Sequence, residues 1–267
     1  MNYQWYPGHM TKAKRMMEEN IKLIDLVIEI VDARIPISSR NPDIDSLAVN
    51  KARIILLNKS DLADDKITNQ WINYFNENNI YCLKLNSRNN SGIKQVNGLI
   101  MTACADKIER NKQRGILNRP IRAMVVGIPN VGKSTFINSY AGKASAKTGN
   151  KPGVTKGKQW IKLNKNVELL DTPGILWPKF DNQEVGKRLA MIGSMNDEIL
   201  NVEELAIDTI KYIYSEHSDN VIERYGLDKE KTAASYDENA INPDNSVALY
   251  IMEQAAVKRG CIKKGNN

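Results

Sequence analysis

The sequence predicts an α/β fold, a mostly parallel sheet flanked by helices, followed by an all-helical domain. Three observations predict it. Six short β-rich apolar runs recur within residues 1–175, helix-length segments separate most of them, and from about residue 176 apolar residues recur only at helical spacing. The runs are LVIEIVD (26–32), RIILLN (53–58), IYCLKL (80–85), IRAMVVG (121–127), KQWIKL (158–163) and VELLD (167–171). Residues 105–120 are polar and basic and end in a proline just before the fourth run, which suits an exposed helix and linker. Pro173 and Pro178 then lead into Val185, Leu189 and Ile192, followed by Leu205, Thr209, Tyr212 and Ile213. The expected domains are therefore 1–175 and 176–267.

With 267 residues, 42% of them hydrophobic and 26% charged, the chain buries a core without staples. No stretch reaches the roughly 18 uncharged apolar residues of a membrane helix. The opening MNYQWYPGHMTKAKRMM has neither the apolar core of a secretory signal nor the pattern of a transit peptide, so the expected location is cytoplasmic and no membrane partner is expected. Cys82, Cys104 and Cys261 are odd in number and lack CxxC spacing, which points to free thiols and away from a zinc site. The net charge of +7 is uneven: residues 1–175 carry 27 Lys and Arg against 15 Asp and Glu, whereas 176–267 carry 11 against 16. The basic surface belongs mainly to the first part, where it suits a partner as well as plain solubility.

Three motifs carry chemistry. GIPNVGKS, Gly127 to Ser134, matches G-x-x-x-x-G-K-[ST] between a strand and a helix-compatible segment. Backbone N–H groups of Gly127, Asn130, Val131, Gly132 and Thr135 would surround phosphate oxygens, Lys133 would neutralise the β/γ charge, and Ser134 would ligate Mg²⁺. DTPG, Asp171 to Gly174, closes the sixth run: Asp171 at a strand end can hold Mg²⁺, and Gly174 can offer its N–H to a γ-phosphate. NKSD, Asn58 to Asp61, follows the second run. The Asp61 carboxylate suits guanine N1–H and N2–H₂, which adenine does not present; Asn58 can hold the loop and the Lys59 stem can cover the base, with Ser60 between them. Together the three specify GTP.

Their order is permuted. NKSD lies 69 residues before the P-loop, whereas a conventional GTPase runs P-loop, switch Thr, DxxG, NKxD, base loop. Cutting that chain after its third strand and joining its old ends gives the order found here, with Asn86 and Ser87 as base loop and 105–120 as the joining segment.

On WYPGHM, DARIP, NKSD, GIPNVGKS, PGVT, DTPG and a helical C-terminal domain, the sequence resembles the ribosome biogenesis GTPase A family, circularly permuted bacterial GTPases of large-ribosomal-subunit assembly. The resemblance spans essentially the whole chain. It implies GTP hydrolysis coupled to late 50S assembly and stimulated by the subunit, GTP, GDP and Mg²⁺ as ligands, rRNA as the main contact, no DNA, and a helical domain that binds RNA or the ribosome.

Thr155 in PGVT stands where a switch Thr would bind Mg²⁺ and the γ-phosphate. After DTPG, where other GTPases carry a water-orienting Gln, the chain has Ile175. The resemblance offers His9 of YPGHM as the group that orients or activates water, although a histidine in such a segment also serves structure or RNA contact. Asn130 in the P-loop resembles the residue that helps hold K⁺ against the phosphates in potassium-activated GTPases. Lys12, Lys14, Arg15 and Lys22, interleaved with Trp5, Tyr6, Met16 and Met17, suit phosphate contact and base stacking as well as a solvated helix face. DARIP, Asp32 to Pro36, follows a strand and could shape a switch or RNA-facing loop, with no role derivable from its residues. The rival readings are an RNA-binding factor without useful turnover and a P-loop kinase or ATPase, the latter disfavoured by NKSD.

Overall fold

The computed structural model describes residues 8–117, 119–142, 159–163, 165–172, 174–176, 180, 182–196, 198 and 200–261. Six strands form one sheet: β1 (Leu26–Asp32), β2 (Ala52–Asn58), β3 (Tyr81–Lys84), β4 (Ile121–Val126), β5 (Gln159–Lys162) and β6 (Val167–Asp171), in the order β3-β2-β1-β4-β6-β5. Every neighbouring pair is parallel except β5 with β6. All seven residues of β1 are buried, as a parallel strand covered on both faces requires. Glu29 pays for its place in that strand through ion pairs to Arg40 and Arg53, both of which also hold Asp45.

Helices α1 (Gly8–Asn20), α2 (Asp43–Leu47), α3 (Asp65–Glu77), α4 (Ile93–Ala103), α5 (Ala105–Gln113) and α6 (Lys133–Ala141) complete this layer structure. Asp64 caps α3, its carboxylate accepting from Ile67 N–H. Phe75 of α3 packs into a cluster with Val31, Ile55, Leu57 and Cys82. Cys82 and Cys104 are buried thiols, each pushed up to about 12 chiefly by burial. Met10 and Met17 of α1 are fully buried, so they serve the core and not a base-stacking surface.

The chain divides into two compact units, Asn2–Asn196 and Asp197–Asn267 with Met1. Residues 176–196, with α7 (Gln183–Met191), thus group with the sheet. Two hydrogen bonds show why: Ile175 N–H donates to Gly127 O (3.3 Å), and Asn130 Nδ2 donates to Gly193 O (2.7 Å). The second unit comprises α8 (Val202–Tyr225), α9 (Lys229–Ala234) and α10 (Pro243–Lys258). Among the described residues no helix is long and apolar enough to cross a membrane.

Candidate active site

In a parallel sheet the loops after the strand C-termini share one edge, and ligands bind there where the strand order reverses. Here β2 ends in NKSD, β3 leads to Asn86 and Ser87, β4 ends in the P-loop and β6 ends in DTPG. Strand order therefore brings to one edge what sequence order scatters.

Asn58 is the joint. Its buried side chain donates from Nδ2 to Val131 O (2.8 Å), while its Oδ1 accepts from Ser87 N–H (3.0 Å) and Ser87 Oγ (2.9 Å). One amide thus ties the NKSD loop to the P-loop and the base loop. The base loop is closed on itself: Asn86 N–H donates to Ser91 O (3.0 Å), and Asn86 Oδ1 accepts from the amides of Arg88 and Asn89. Ser139 of α6 adds a second tie, donating to Ser87 O (2.5 Å).

Lys59, in a left-handed conformation at φ 58°, reaches across to the P-loop and donates from Nζ to Asn130 O (2.9 Å). Its ammonium also meets Asp32 Oδ2 (3.1 Å). Asp32 is fully buried and takes Arg34 bidentately, at 2.8 Å from Nε and 2.7 Å from Nη2. Burial opposes its ionisation, but the Arg34 hydrogen bond and the nearby Lys59 and Arg34 charges hold its carboxyl below the usual range. DARIP therefore has a structural task that spacing did not reveal: Asp32 sets the position of the Lys59 side chain. Asp61 follows in a 3₁₀ turn, exposed, and lines a cavity of about 450 Å³ with Ser60 and Asn86.

The P-loop is tight. Gly127 has φ +151°, and a Cβ there would stand 2.5 Å from Ile30 O; Gly132, at φ +98° on the N-cap of α6, would collide through a Cβ with Asn58 Nδ2. Ser134 and Thr135 occupy the first turn of α6, at its positive end. Lys133 is buried and donates to Gly127 O (3.1 Å) and Ile128 O (2.9 Å). Burial pushes its ammonium down to about 8, against the opposing charge of Asp171.

Thr172 Oγ1 donates to Val125 O (2.6 Å), fastening DTPG to β4. Gly174 lies so close that a Cβ would stand 2.7 Å from Lys133 Nζ. The Ile175 side chain is buried and apolar, so it offers water no hydrogen bond. Thr155 and the His9 side chain lie outside the described residues; the His9 backbone belongs to α1.

Asp171 is 1% exposed, and among the described residues its Oδ1 has no hydrogen-bond donor. A buried acceptor without a partner is costly. Such an oxygen fits the hydration shell of a divalent cation, which the Ser134 hydroxyl in the first turn of α6 could also help to hold. Burial raises the Asp171 carboxyl to about 6, partly offset by Lys133 and a backbone N–H. The free protein therefore protonates Asp171 below about pH 6, and only the ionised form serves a cation. The Mg²⁺-dependent gain in GDP affinity should be full near pH 7.5 and fall roughly tenfold per unit below pH 6. Titrations with and without Mg²⁺ test this; a gain as large at pH 5 as at pH 7.5 would remove Asp171 from the cation's shell.

The family described as 50S ribosome-binding GTPase matches residues 122–237, starting at the strand before the P-loop. Ribosome biogenesis GTPase A of Priestia megaterium is 46% identical over 266 residues, covering 99% of this chain and 88% of that protein. The protein of the same name from Bacillus cereus is 46% identical over 265 residues, with 99% and 85% covered. Among solved structures, GNP-bound YlqF from T. maritima superposes with a TM-score of 0.55 at 26% identity, over 93% of this chain and 95% of that one.

Proposed function

Because the chain belongs to the ribosome biogenesis GTPase A family, and so is a GTP hydrolase on a circularly permuted P-loop GTPase fold, we propose that it acts in late assembly of the large (50S) ribosomal subunit. It works in the cytoplasm on rRNA-containing precursor particles, which stimulate its hydrolysis. The observation that supports the GTPase part of this reading is the Asn58 joint, which ties the NKSD, P-loop and Asn86–Ser87 segments together at one sheet edge.

Lys133 and the amides at the start of α6 hold the β- and γ-phosphates. Ser134, Asp171 and Thr155 would hold Mg²⁺, which would supply charge neutralisation to the transferred phosphoryl group. Asn130 would hold K⁺, which would supply further positive charge; its Nδ2 donates to Gly193 O (2.7 Å), so the Oδ1 end would face the ion. The buried Ile175 leaves water to be oriented by a group from elsewhere, and His9, at the start of α1, is that group. His9→Ala is expected to keep GTP affinity and to lower subunit-stimulated turnover about 10²-fold in single-turnover assays on saturating large subunits. Normal turnover at normal occupancy would return His9 to structure or RNA contact.

The basic surface of the first unit faces rRNA. Lys12, Arg15 and Lys22 are exposed on and just after α1, whereas Lys14 is engaged by Asp43 (2.8 Å). Affinity for the large subunit should fall steeply between about 50 and 200 mM salt through counterion release, and charge reversal at Lys12, Arg15 and Lys22 should flatten that slope. Co-sedimentation across the salt series reads both; a salt-independent association would exclude rRNA phosphates as the main contact.

The deciding experiment is phosphate release with and without large subunits, paired with co-sedimentation in GDP and in a non-hydrolysable GTP analogue. Stimulated release and analogue-dependent binding are expected. Binding without stimulated release would favour an RNA-binding factor that holds nucleotide.

A further inference from the structure

The sheet ends in β5, an edge strand that pairs, among the described residues, with β6 alone. Register sets Trp160 opposite Leu170 and Lys162 opposite Glu168, and Glu168 in turn opposite Arg122 of β4. Side chains alternate along a strand, so Trp160, Lys162, Glu168 and Arg122 stand on one face of the sheet. Arg122 is bound into this group twice. Its Nε donates to Glu168 Oε2 (3.3 Å), and its guanidinium stands 5.4 Å from the centre of the Trp160 ring. The one carboxylate of the group is thus matched by a cation, and Lys162 adds a further positive charge.

Trp160 nevertheless leaves 38% of its surface open. Edge strands are normally blunted by charge, and a large apolar ring works against that protection. Lys162 and, in the turn to β6, Lys165 are exposed on either side of the hairpin end. Residues 143–166 hold seven Lys and no Asp or Glu, so the segment around the ring brings no competing anion.

An indole flanked by cations recognises two chemistries together. Its π-face takes a nucleobase of any kind, and the cations take the phosphates that flank it. Duplex bases already stack on one another, so an unpaired nucleotide is the form that offers a face to the ring. A basic protein segment would meet Arg122, Lys162 and Lys165 as like charges, and an acidic one would have no use for the indole.

We propose that the outer end of the sheet, Trp160 with Lys162, Lys165 and Arg122, is a docking site for an unpaired nucleotide of rRNA, its base stacked on Trp160 and its phosphates set against the lysines. The inference rests on the assembly reading above and adds to it a defined base-stacking site on β5.

The test uses the full chain loaded with a non-hydrolysable GTP analogue. Trp160→Leu, which keeps an apolar side chain and removes the π-face, should lower affinity for large-subunit precursor particles about tenfold in co-sedimentation, whereas Trp160→Phe should stay near the parent. GDP affinity, which a damaged fold would lower, should be unchanged in both. Lys162→Glu should weaken particle binding and flatten its salt dependence. A fluorescein-labelled single-stranded oligouridine should show the same loss with Trp160→Leu, and an RNA duplex should show none. Equal particle affinity in Trp160→Leu and the parent would leave the indole and its lysines to edge protection and overturn the site. A loss on the particle without a loss on oligouridine would give the ring to a protein partner and overturn it equally. Failure of the parent chain to co-sediment would overturn the assembly reading, and the oligouridine comparison would still decide what the ring binds.

Discussion

Asp61→Asn is expected to weaken GTP binding by about 4 kcal/mol, close to 10³-fold, and to create affinity for xanthosine triphosphate. The reason lies in donor and acceptor count. A carboxylate presents two acceptors to guanine N1–H and N2–H₂; an amide replaces one acceptor by a donor, so a donor faces a donor. Xanthine carries a carbonyl where guanine carries its amino group, and the amide then matches it. Asp61 sits in the turn Ser60–Leu62, on a backbone fixed by Ser60 N–H donating to Leu85 O (3.2 Å) and by Lys59 on the P-loop. Its exposed carboxylate carries none of the core, so the exchange should leave folding intact. Parallel titrations with GTP and XTP make the comparison. Equal GTP affinity in variant and parent would sink the assignment of NKSD as the base-reading loop.

Asn58→Asp should be worse for the protein, although the two side chains have the same shape. Asn58 is 2% exposed, and its Nδ2 donates to Val131 O at 2.8 Å. Aspartate places an oxygen there, so two acceptors face each other in a site with little water, and a charge is buried where the parent carries none. Loss of about 4 kcal/mol of stability is expected, read as a lower urea midpoint at unchanged slope. GDP affinity should fall by about 10²-fold as well, because the P-loop and the base loop lose their common tie. The bonds from Ser87 to Oδ1 survive the exchange, so the effect isolates the tie to Val131. An unchanged midpoint together with unchanged GDP affinity would show that the loops hold their places without Asn58.

The fold was written in local patterns. The apolar run 26–32 coincides with β1 and the run 167–171 with β6, because a strand buried on both faces has to be apolar along its length. The other four runs fall within two residues of their strands at each end. The phosphate motif was equally readable, since its spacing is a property of one strand–turn–helix segment. Residues 105–120 held an exposed helix, α5, for the same reason: charge and polarity along a short segment fix its exposure.

Tertiary structure alone decided what depends on distant pairs. Asn58 bonds a residue 73 positions away and another 29 positions away, and no propensity of the NKSD tetrad encodes either partner. Asp32 closes the run 26–32 with no role derivable from sequence, and only the pairing of β1 with β2 sets it against Lys59. Lys14 suits phosphate contact or a solvated helix face by sequence, and only the fold shows that it pairs with Asp43. The change to helical spacing near 176 suggested a boundary there, yet the compact units part at 196/197, because the contacts of Ile175 and Gly193 with the P-loop leave no trace in periodicity. Local sequence fixes which segments can be strands or helices through burial and backbone geometry. Which loops then share an edge depends on strand order, and strand order is a global property of the sheet.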